Sequence, residues 1–459
     1  MNAASTAVAE GLLTARIESV AAGGAGVARH EGRVVFIPRT APGDAVRFRI
    51  RADKGRYLLG ELDAVEEPGP ARREPPCPHW AACGGCPLQQ MLPEAQAQAK
   101  RRILLDALAR IGKMDLPVPL QTLAPESPEF GYRLRARFQI RGEAVGFFEP
   151  GTRRLAPIEA CLLVERPIAE ALREVRRLLR LEPAARRVEA AEITSLGPAP
   201  EEGAGLLLHP CGARERGRAA PDRQTRTIWE GFGRGSGFPL SFAGDRGPGD
   251  PPAWTARYEA GEGLTLRVSP ESFIQPSRAG NLALLRTLLE EAGLGPGGRA
   301  VDLFCGAGNF ALPLARRGAR VVGVESNPFA ARDAEANRRE TGVEGARFLH
   351  GEAERLDAGE IARALGGPPD VLILDPPRKG ALAAIPILRA LAPRRVLYVS
   401  CNPATLARDA RAIRAEGYRI ERAFLIPMFP NTAHVETLTS WSRGENPPPE
   451  DGKEDVQCS

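Results

Sequence analysis

A single cysteine stands where a buried strand meets a loop. The run LYVSCNP places Cys401 shortly after the apolar residues Leu397, Tyr398 and Val399. Most free cysteines behave as small buried hydrophobes, so simple packing is the first interpretation of this thiol. In open α/β sheets, however, ligands and reacting groups lie at the carboxyl ends of the strands. A nucleophilic thiolate is therefore the second interpretation, and other parts of the chain must decide between them.

Three further cysteines are clustered in the run CPHWAACGGC. Cys77 precedes Cys83 with five residues between them, and Cys83 precedes Cys86 with two. In a cytoplasmic chain such a triplet indicates metal binding rather than disulfides. A structural zinc and a cubane iron–sulfur cluster both need four ligands, so one more thiolate has to come from elsewhere. The spacing alone leaves both metals open.

A glycine-rich turn indicates a nucleoside-type cofactor. The segment VDLFCGAGNFALPLA (301–315) reads as a strand, a turn and a helix, and Gly306 and Gly308 let the backbone approach a ligand closely. Glu325 ends the next strand, where an acid can bind the ribose of NAD or of S-adenosyl-L-methionine. Asp375 opens the run DPP at the end of a later strand. That run is unlike dehydrogenases and is similar to class I methyltransferases that act on nucleic acids.

The elements that position these residues are expected to form three domains. Strands alternate with helical segments over residues 261–441, which predicts a doubly wound α/β sheet. Residues 1–70 contain short alternating runs between glycine-rich turns and predict a small OB-like β-barrel. Residues 71–260 are expected to form a central α+β domain. The polar, proline-rich residues 442–459 predict a disordered tail.

The distribution of charge suggests an RNA partner. The net charge of +5 is a mild bias. Residues 29–56 contain eight basic residues and three acids, which favours a basic barrel face that binds RNA. In YRLRARFQIR, the basic residues Arg133, Arg135, Arg137 and Arg141 alternate with apolar ones. They therefore share one face of a strand, which either contacts phosphates or is simply exposed to solvent.

Membrane insertion and secretion are not expected. No apolar run of the sequence approaches the roughly 20 residues that span a bilayer. The first residues also lack the basic start and apolar stretch of a secretory signal. We expect a cytoplasmic protein that has no membrane contact and no obligate protein partner.

Four motifs in this order and spacing resemble the RNA uridine-5-methyltransferase family: DLFCGAGNF, LDPPRKG, YVSCNPATLARD and MFPNTAHVE. The N-terminal barrel resembles the TRAM domain that many members carry. The resemblance extends from about residue 12 to residue 441. It implies a class I methyltransferase Rossmann-like sheet, S-adenosyl-L-methionine as cofactor and structured RNA as partner. Ribosomal RNA of the large subunit (23S) is the expected substrate, and transfer RNA is the alternative.

The same resemblance implies roles for individual residues. Cys401 is the nucleophile that adds to carbon 6 of uracil, and Glu436 is the base that removes the proton on carbon 5. The implied cofactor contacts are Gln275, Phe304, Asn309, Glu325, Glu352 and Asp375. Cys161 is the implied fourth ligand beside Cys77, Cys83 and Cys86, which favours a [4Fe–4S] cluster over zinc.

Two neighbours of Gln275 add to this picture. Ser277 departs from the family pattern FxQxN, in which an asparagine often stands at that position. Phe273 is expected to stack on a base that has been extruded from its RNA, because enzymes that modify a base must first flip it out.

Two other classes of function remain open at this point. An NAD-dependent oxidoreductase is supported by the glycine-rich turn alone. An RNA-binding iron–sulfur protein without catalysis would need neither Cys401 nor Glu436.

Overall fold

The computed structural model describes residues 11–123, 128–212 and 220–443. Most of the predicted disordered tail, residues 444–459, lies outside the described residues. Among the helices of these three ranges, none is both long and apolar enough to cross a membrane.

The chain begins with a six-stranded sheet, which we call the N-terminal barrel. Its hydrogen-bonded order is β1-β5-β6-β4-β3-β2. The strands are β1 (Leu13–Arg16), β2 (Ser19–Val20), β3 (Gly26–His30), β4 (Arg33–Ile37), β5 (Ala45–Asp53) and β6 (Tyr57–Glu67). Alternate residues such as Val35, Phe48 and Leu58 are fully buried in one small core. Register shifts interrupt the pairing of β5 with β6, as expected where a strand must bend.

The surface of the N-terminal barrel is less basic than residues 29–56 suggested. Arg47 of β5 pairs with Asp63 at 2.7 Å and with Glu66 at 3.1 Å, and both acids lie on β6. Arg33 pairs with Asp53 at 2.8 Å. Asp63 and Glu66 follow residues 29–56 in sequence, so the charge count of that range did not include them. The pairing of β5 with β6 brings both acids beside Arg47.

A helix and a short strand come next, α1 (Pro93–Arg110) and β7 (Leu120–Thr122). The central sheet follows in the order β10-β9-β8-β11-β12-β13. Its elements are β8 (Arg135–Arg141), β9 (Ala144–Phe148), β10 (Leu155–Pro157), α2 (Arg166–Leu181), β11 (Val188–Ser195), β12 (Ala204–Pro210), α3 (Arg223–Ser236) and β13 (Leu240–Phe242). Phe138, Ile193 and Trp229 share its core with α2.

The catalytic sheet has eight strands in the order β18-β17-β16-β19-β20-β22-β21-β7. After the hairpin β14 (Ala256–Glu259) and β15 (Thr265–Val268), its strands are β16 (Arg299–Leu303), β17 (Arg320–Glu325), β18 (Ala346–His350), β19 (Val371–Leu374), β20 (Arg395–Ser400), β21 (Tyr418–Ile426) and β22 (Glu436–Arg443). The helices are α4 (Arg278–Ala292), α5 (Ala311–Arg316), α6 (Pro328–Thr341), α7 (Ala358–Leu365), α8 (Ile385–Leu391) and α9 (Pro403–Ala415). Strands β16 to β20 are parallel, and β22 is antiparallel to both β20 and β21.

Helices cover both faces of this sheet, which explains its near-continuous apolar strands. In β20, Leu397 and Val399 pack in one core, whereas Val396 and Tyr398 pack in the other. The predicted doubly wound sheet is therefore confirmed.

The segment between the cysteine triplet and the central sheet packs on the catalytic sheet. Leu104 and Leu108 of α1 share a core with Leu406 of α9, and Leu120 of β7 pairs with Ala423 of β21. These residues were expected in the central domain, because a segment that precedes a sheet by so many residues carries no sign of joining it. The domain boundaries themselves stay a prediction.

Candidate active site and cysteine pocket

The carboxyl ends of the parallel strands open into one cavity of about 880 Å³, which we call the catalytic cavity. That volume falls in the range of ordinary ligand sites. The predicted site residues that line it are Gln275, Phe304, Glu325, Glu352, Asp375, Cys401 and Glu436. Residues that the sequence scatters over 160 positions are thus brought to one edge of the catalytic sheet.

Cys401 and Glu436 occupy the ends of two paired strands. Cys401 follows the last residue of β20, and Glu436 is the first residue of β22. Ser400 is paired with Thr437 in the antiparallel register, so the next position along sets Cys401 opposite Glu436. A thiol and a carboxyl group therefore reach the catalytic cavity side by side.

Burial perturbs both groups. Burial raises the pKa of Cys401 to about 11, with Glu436 and Asp375 adding to the rise and Arg378 opposing it. Burial also raises the pKa of Glu436 well above its ordinary value, and the charge of Asp375 adds to that rise. The thiol is therefore protonated at neutral pH, and the carboxylate beside it is a stronger base than one in water.

The glycine-rich turn that follows β16 contains a strained residue. Phe304 has φ +68°, a left-handed conformation that is uncommon outside glycine and often marks functional sites. The Gly306 N–H donates to Glu325 Oε2 at 2.9 Å, and the Asn327 N–H donates to Glu325 Oε1 at 2.6 Å. Glu325 is thereby fixed in place while its carboxylate keeps further acceptor capacity.

Asp375 is held by a residue from another segment. The Gln275 Nε2 group donates to Asp375 Oδ2 at 3.3 Å. Burial raises the pKa of Asp375 to about 7; the Gln275 hydrogen bond opposes the rise, and Glu325 adds to it. Ser277, which departs from the family pattern, is the N-cap of α4, and its Oγ accepts the Gly280 N–H at 3.1 Å.

Asn309 does not line the catalytic cavity. Its side-chain amide is paired with that of Asn281 on α4, with Nδ2 to Oδ1 distances of 2.9 and 3.1 Å. The amide thus ties the glycine-rich turn to α4. Direct contact of Asn309 with the cofactor stays a prediction.

Two buried acids near the site were not singled out by the sequence. Asp302 on β16 is fully buried and neither carboxyl oxygen has a hydrogen-bond partner among the described residues. Asp409 on α9 accepts from the Tyr398 hydroxyl at 2.7 Å and from the Ala381 N–H at 2.6 Å, which anchors the loop after the DPP run. A carboxyl group within an apolar strand was the available signal for Asp302; Asp409 gave none.

The arginine face of β8 is turned toward the same cavity. Arg133, Arg135 and Arg137 line the cavity, whereas Arg141 lies exposed at the end of the strand. Arg135 donates to the Ser272 carbonyl at 2.5 Å, just before Phe273. The predicted alternation is confirmed, and Arg135 and Arg137 are paired with Glu192 and Glu189 of β11 at 3.4 and 3.6 Å.

Phe273 lines this cavity and keeps 65% of its surface exposed. A ring this exposed is able to stack on a planar ligand. The cavity thus combines an acidic side, a basic side and an uncovered ring.

The four cluster cysteines also come together. Cys77, Cys83, Cys86 and Cys161 line a second, smaller cavity of about 230 Å³, which we call the cysteine pocket. Burial raises the pKa of Cys161 to about 11, and it raises that of Cys86 as well, with the three other cysteines adding to the effect at Cys86. Across the described ranges, no three His, Cys, Asp or Glu side chains converge closely enough to hold one metal ion.

The two cavities share a wall. Arg133 and His434 line both of them. Arg378 Nη2 lies 3.2 Å from His434 Nε2, and burial together with the positive charges of Arg378, Arg133 and Lys100 lowers the pKa of His434 to about 4. The shared imidazole is therefore neutral at physiological pH.

Comparison with known proteins identifies the family. The family model described as tRNA (Uracil-5-)-methyltransferase matches residues 259–442, and the TRAM domain model matches residues 12–62. The 23S rRNA (uracil(1939)-C(5))-methyltransferase RlmD of Pseudomonas putida is 34% identical over 445 residues, covering 93% of each chain. The RlmD protein of an Azoarcus species is 35% identical over 446 residues, covering 94% of this chain and 99% of its own.

The chain belongs to the RNA uracil-5-methyltransferase family. This result confirms the class I methyltransferase fold, the TRAM domain and S-adenosyl-L-methionine as the methyl donor. The NAD-dependent alternative is wrong, and so is the alternative of a binding protein without catalysis.

One solved structure shares the fold of this uracil-5-methyltransferase over almost its whole length. It is the Pyrococcus abyssi tRNA (uracil-54, C5)-methyltransferase in complex with S-adenosyl-L-homocysteine, with a TM-score of 0.68 and 22% identity. The match covers 94% of this chain and 100% of that one.

Proposed function

We propose that this enzyme methylates carbon 5 of a uridine in 23S rRNA through a covalent adduct with Cys401. The observation that carries the proposal is the placement of Cys401, directly after β20, beside Glu436, the first residue of β22, with both lining the catalytic cavity. The curated relatives at 34–35% identity carry 23S rRNA names. The solved transfer RNA enzyme, at 22% identity, supports the fold and not the substrate.

In this proposal, Cys401 activates the base. Carbon 5 of uracil is too weakly nucleophilic to take a methyl group unaided. The partly exposed thiol loses its proton to water, a bond forms between Sγ and carbon 6, and the electron pair of the carbon 5–carbon 6 double bond moves toward carbon 5 and the adjacent carbonyl. Covalent catalysis of this kind divides one hard step into two easier ones.

Glu436 then resolves the adduct. After methylation, carbon 5 still carries its original proton, and the Glu436 carboxylate accepts it. The electrons of that bond restore the double bond, the bond between carbon 6 and Sγ breaks, and the thiolate leaves. A buried carboxylate with a raised pKa suits this task because a general base works best when its pKa approaches the working pH.

The acidic side of the catalytic cavity fits the methyl donor. S-adenosyl-L-methionine supplies the methyl group from a positively charged sulfonium. We assign its binding to Glu325, Glu352 and Asp375, which are all cavity-lining acids near strand ends, together with Gln275 and Phe304. Carboxylates favour a cationic ligand. The left-handed backbone of Phe304 brings the glycine-rich turn beside that ligand.

The basic side of the cavity fits RNA. Arg133, Arg135 and Arg137 are placed to neutralise phosphates, and the exposed ring of Phe273 is placed to stack on an extruded base. Phe273→Ala should weaken RNA binding by about 1–3 kcal/mol, the worth of one stacked base, while Phe273→Tyr should bind as the wild type does. Filter binding with a 23S rRNA fragment measures this, and equal affinity of Phe273→Ala would remove the stacking role.

We further propose that the cysteine pocket holds a [4Fe–4S] cluster. Cys77, Cys83, Cys86 and Cys161 would hold it, because all four line this one pocket. A cubane cluster takes four thiolate ligands, the number that these residues would supply. Methyl transfer from a sulfonium needs no electron, so we assign the cluster a structural role.

The proposed substrate can be tested directly. Purified enzyme should transfer tritiated methyl groups from S-adenosyl-L-methionine to a 23S rRNA transcript and not to a transfer RNA transcript. Nuclease digestion and mass spectrometry should locate one 5-methyluridine. Methylation of transfer RNA alone would overturn the ribosomal assignment and leave the chemistry intact.

A further inference from the structure

The loop that leads into Glu436 is anchored by a buried asparagine with an unusual backbone. Asn431 has φ +64° and no exposed surface. Asparagine tolerates this left-handed conformation better than most residues. It lies between Phe429 and His434, which both line the catalytic cavity.

Asn431 is bound by residues from separate parts of the chain. Gln96 of α1 makes two hydrogen bonds with it: the Asn431 N–H donates to Gln96 Oε1 at 2.8 Å, and Gln96 Nε2 donates to Asn431 Oδ1 at 3.1 Å. Asn431 Nδ2 donates to the Glu129 carbonyl at 3.1 Å. Its own carbonyl accepts the Leu88 N–H at 3.1 Å. Its backbone N–H and C=O and its side-chain amide are therefore all used.

One of these contacts leads to the cysteine triplet. Arg73 Nη2 donates to Asn431 Oδ1 at 3.0 Å, and Arg73 Nε donates to the Gln89 carbonyl at 3.0 Å. Gln89 Oε1 in turn accepts the Cys77 N–H at 2.8 Å. A continuous series of hydrogen bonds thus runs from the backbone of the cysteine loop, through Arg73, to the loop that precedes Glu436.

The residues on either side of Asn431 are held in the same way. Lys100 Nζ of α1 donates to the Phe429 carbonyl at 2.6 Å, and the Tyr132 hydroxyl donates to the Pro430 carbonyl at 3.0 Å. None of these partners belongs to a strand of the catalytic sheet. The loop is therefore shaped by the segment that carries the cysteines and by α1.

We propose that Asn431 is a positioning residue: it sets the position of Glu436 and ties it to the cysteine loop through Arg73 and Gln89. This inference rests on the proposed function, in which Glu436 removes the proton from carbon 5. Displacing a catalytic group by about 1 Å can cost about 100-fold in rate. Disturbing Asn431 therefore slows the resolution of the adduct, whereas formation of the adduct and binding of the cofactor stay as they are.

The first test uses two variants that break the network at different ends. Asn431→Gly keeps the left-handed backbone and removes the side chain, and Gln96→Leu removes the partner on α1. Each should lower methylation turnover by about tenfold or more and raise the fraction of enzyme trapped as a methylated RNA adduct on denaturing gels. Affinity for S-adenosyl-L-homocysteine, measured by calorimetry, should change by less than about twofold.

A control separates positioning from general loss of stability. Thr225 of α3 is buried, and its Oγ1 lies within hydrogen-bond distance of the Ala184 carbonyl at 3.1 Å and of Asp222 Oδ2 at 2.7 Å. Thr225→Val removes both contacts, neither of which is at the catalytic cavity, so it should lower the melting temperature without raising the adduct fraction. An adduct fraction that rises equally in Thr225→Val would overturn the proposal, and so would normal turnover in both Asn431→Gly and Gln96→Leu.

A double-mutant cycle tests the link to the cysteine loop. Gln89→Leu breaks the series without removing a cysteine. If the link is real, Gln89→Leu combined with Asn431→Gly should slow resolution by less than the product of the single effects. Effects that multiply fully would overturn the link. If Glu436→Gln traps no adduct either, the proposed covalent route itself has failed, which is a different outcome.

Discussion

The protein uses buried thiols in two neighbouring cavities, and the surroundings of those thiols differ. In the cysteine pocket, burial raises the pKa of Cys86 most, and the three other cysteines raise it further. In the catalytic cavity, Cys401 stands alone among carboxyl groups, with Glu436 and Asp375 raising its pKa and Arg378 lowering it. Burial is nevertheless the largest cause of the raised pKa of Cys86 and of Cys401.

This difference teaches what each cavity is for. In the proposal above, the four thiols of the cysteine pocket hold a metal group, which would keep them as thiolates. Cys401, by contrast, has carboxyl groups beside it and no second cysteine among the residues that line the catalytic cavity. Arg133 and His434 separate the two environments while contacting both.

The largest effect is expected for the lone thiol. Cys401→Ala should lower methylation by at least about 1,000-fold, because no nucleophile remains to activate carbon 5. RNA and S-adenosyl-L-homocysteine should still bind, and no adduct should survive denaturing electrophoresis. Turnover in this variant would show that Cys401 only packs, and the contrast between the cavities would disappear.

Loss of the Glu436 carboxylate should affect a different step of the reaction. Glu436→Gln keeps the shape of the side chain and removes the base, so turnover should fall by about 100- to 10,000-fold. Addition and methylation can still occur, and the adduct should therefore accumulate with the methyl group already in place. Mass spectrometry of the trapped RNA fragment checks this; an adduct without the methyl group would assign Glu436 to an earlier step.

The cysteine pocket should respond to the loss of one ligand without a matching loss at the acidic side of the catalytic cavity. Wild-type protein purified without oxygen should contain about four irons per chain, and Cys161→Ser should lose them. Affinity for S-adenosyl-L-homocysteine should stay within about twofold, because the cofactor residues are on other strands. Cys211→Ser, a change at an exposed cysteine, should keep the iron. Stoichiometric zinc in the wild type would overturn the cluster assignment.

The smallest effect concerns the charge beside Cys401. A neighbouring negative charge disfavours a thiolate, so Glu436→Gln should lower the pKa of Cys401 from its value of about 11. At about pH 9, alkylation of Cys401 by iodoacetamide should then be roughly two- to tenfold faster than in the wild type. Peptide mapping follows the rate, with Cys211 as the internal control. An unchanged rate would mean that Glu436 does not influence the thiol.

Much of the catalytic cavity could be predicted from the sequence because its residues follow strands. A run such as VLILDPP or LYVSCNP shows both the strand and the group at its carboxyl end. Parallel strands then bring Glu325, Asp375 and Cys401 to one edge without further information. The pairing of Asn309 with Asn281 could not be predicted, because the position of Asn309 in the glycine-rich turn does not reveal that its amide meets α4.

Contacts made between distant segments could not be predicted in this way. Nothing in the local pattern of Gln96 or Arg73 indicates that each meets Asn431. The charge of the N-terminal barrel was overestimated for the same reason, since Asp63 and Glu66 neutralise Arg47 only after β5 and β6 have paired. Local sequence predicts elements and their ends well, and tertiary pairing decides the rest.

The outermost strand of the catalytic sheet has a consequence for how the protein is made. Strand β7 is synthesised before the central sheet, yet its partner β21 is among the last strands to leave the ribosome. Until then Leu120 and the apolar side of α1 have no sheet to cover, and long-range pairings of this kind form slowly. The growing chain therefore carries an unfinished apolar segment through most of translation, when exposed surface favours aggregation. This uracil-5-methyltransferase is in this sense completed only as its own translation ends.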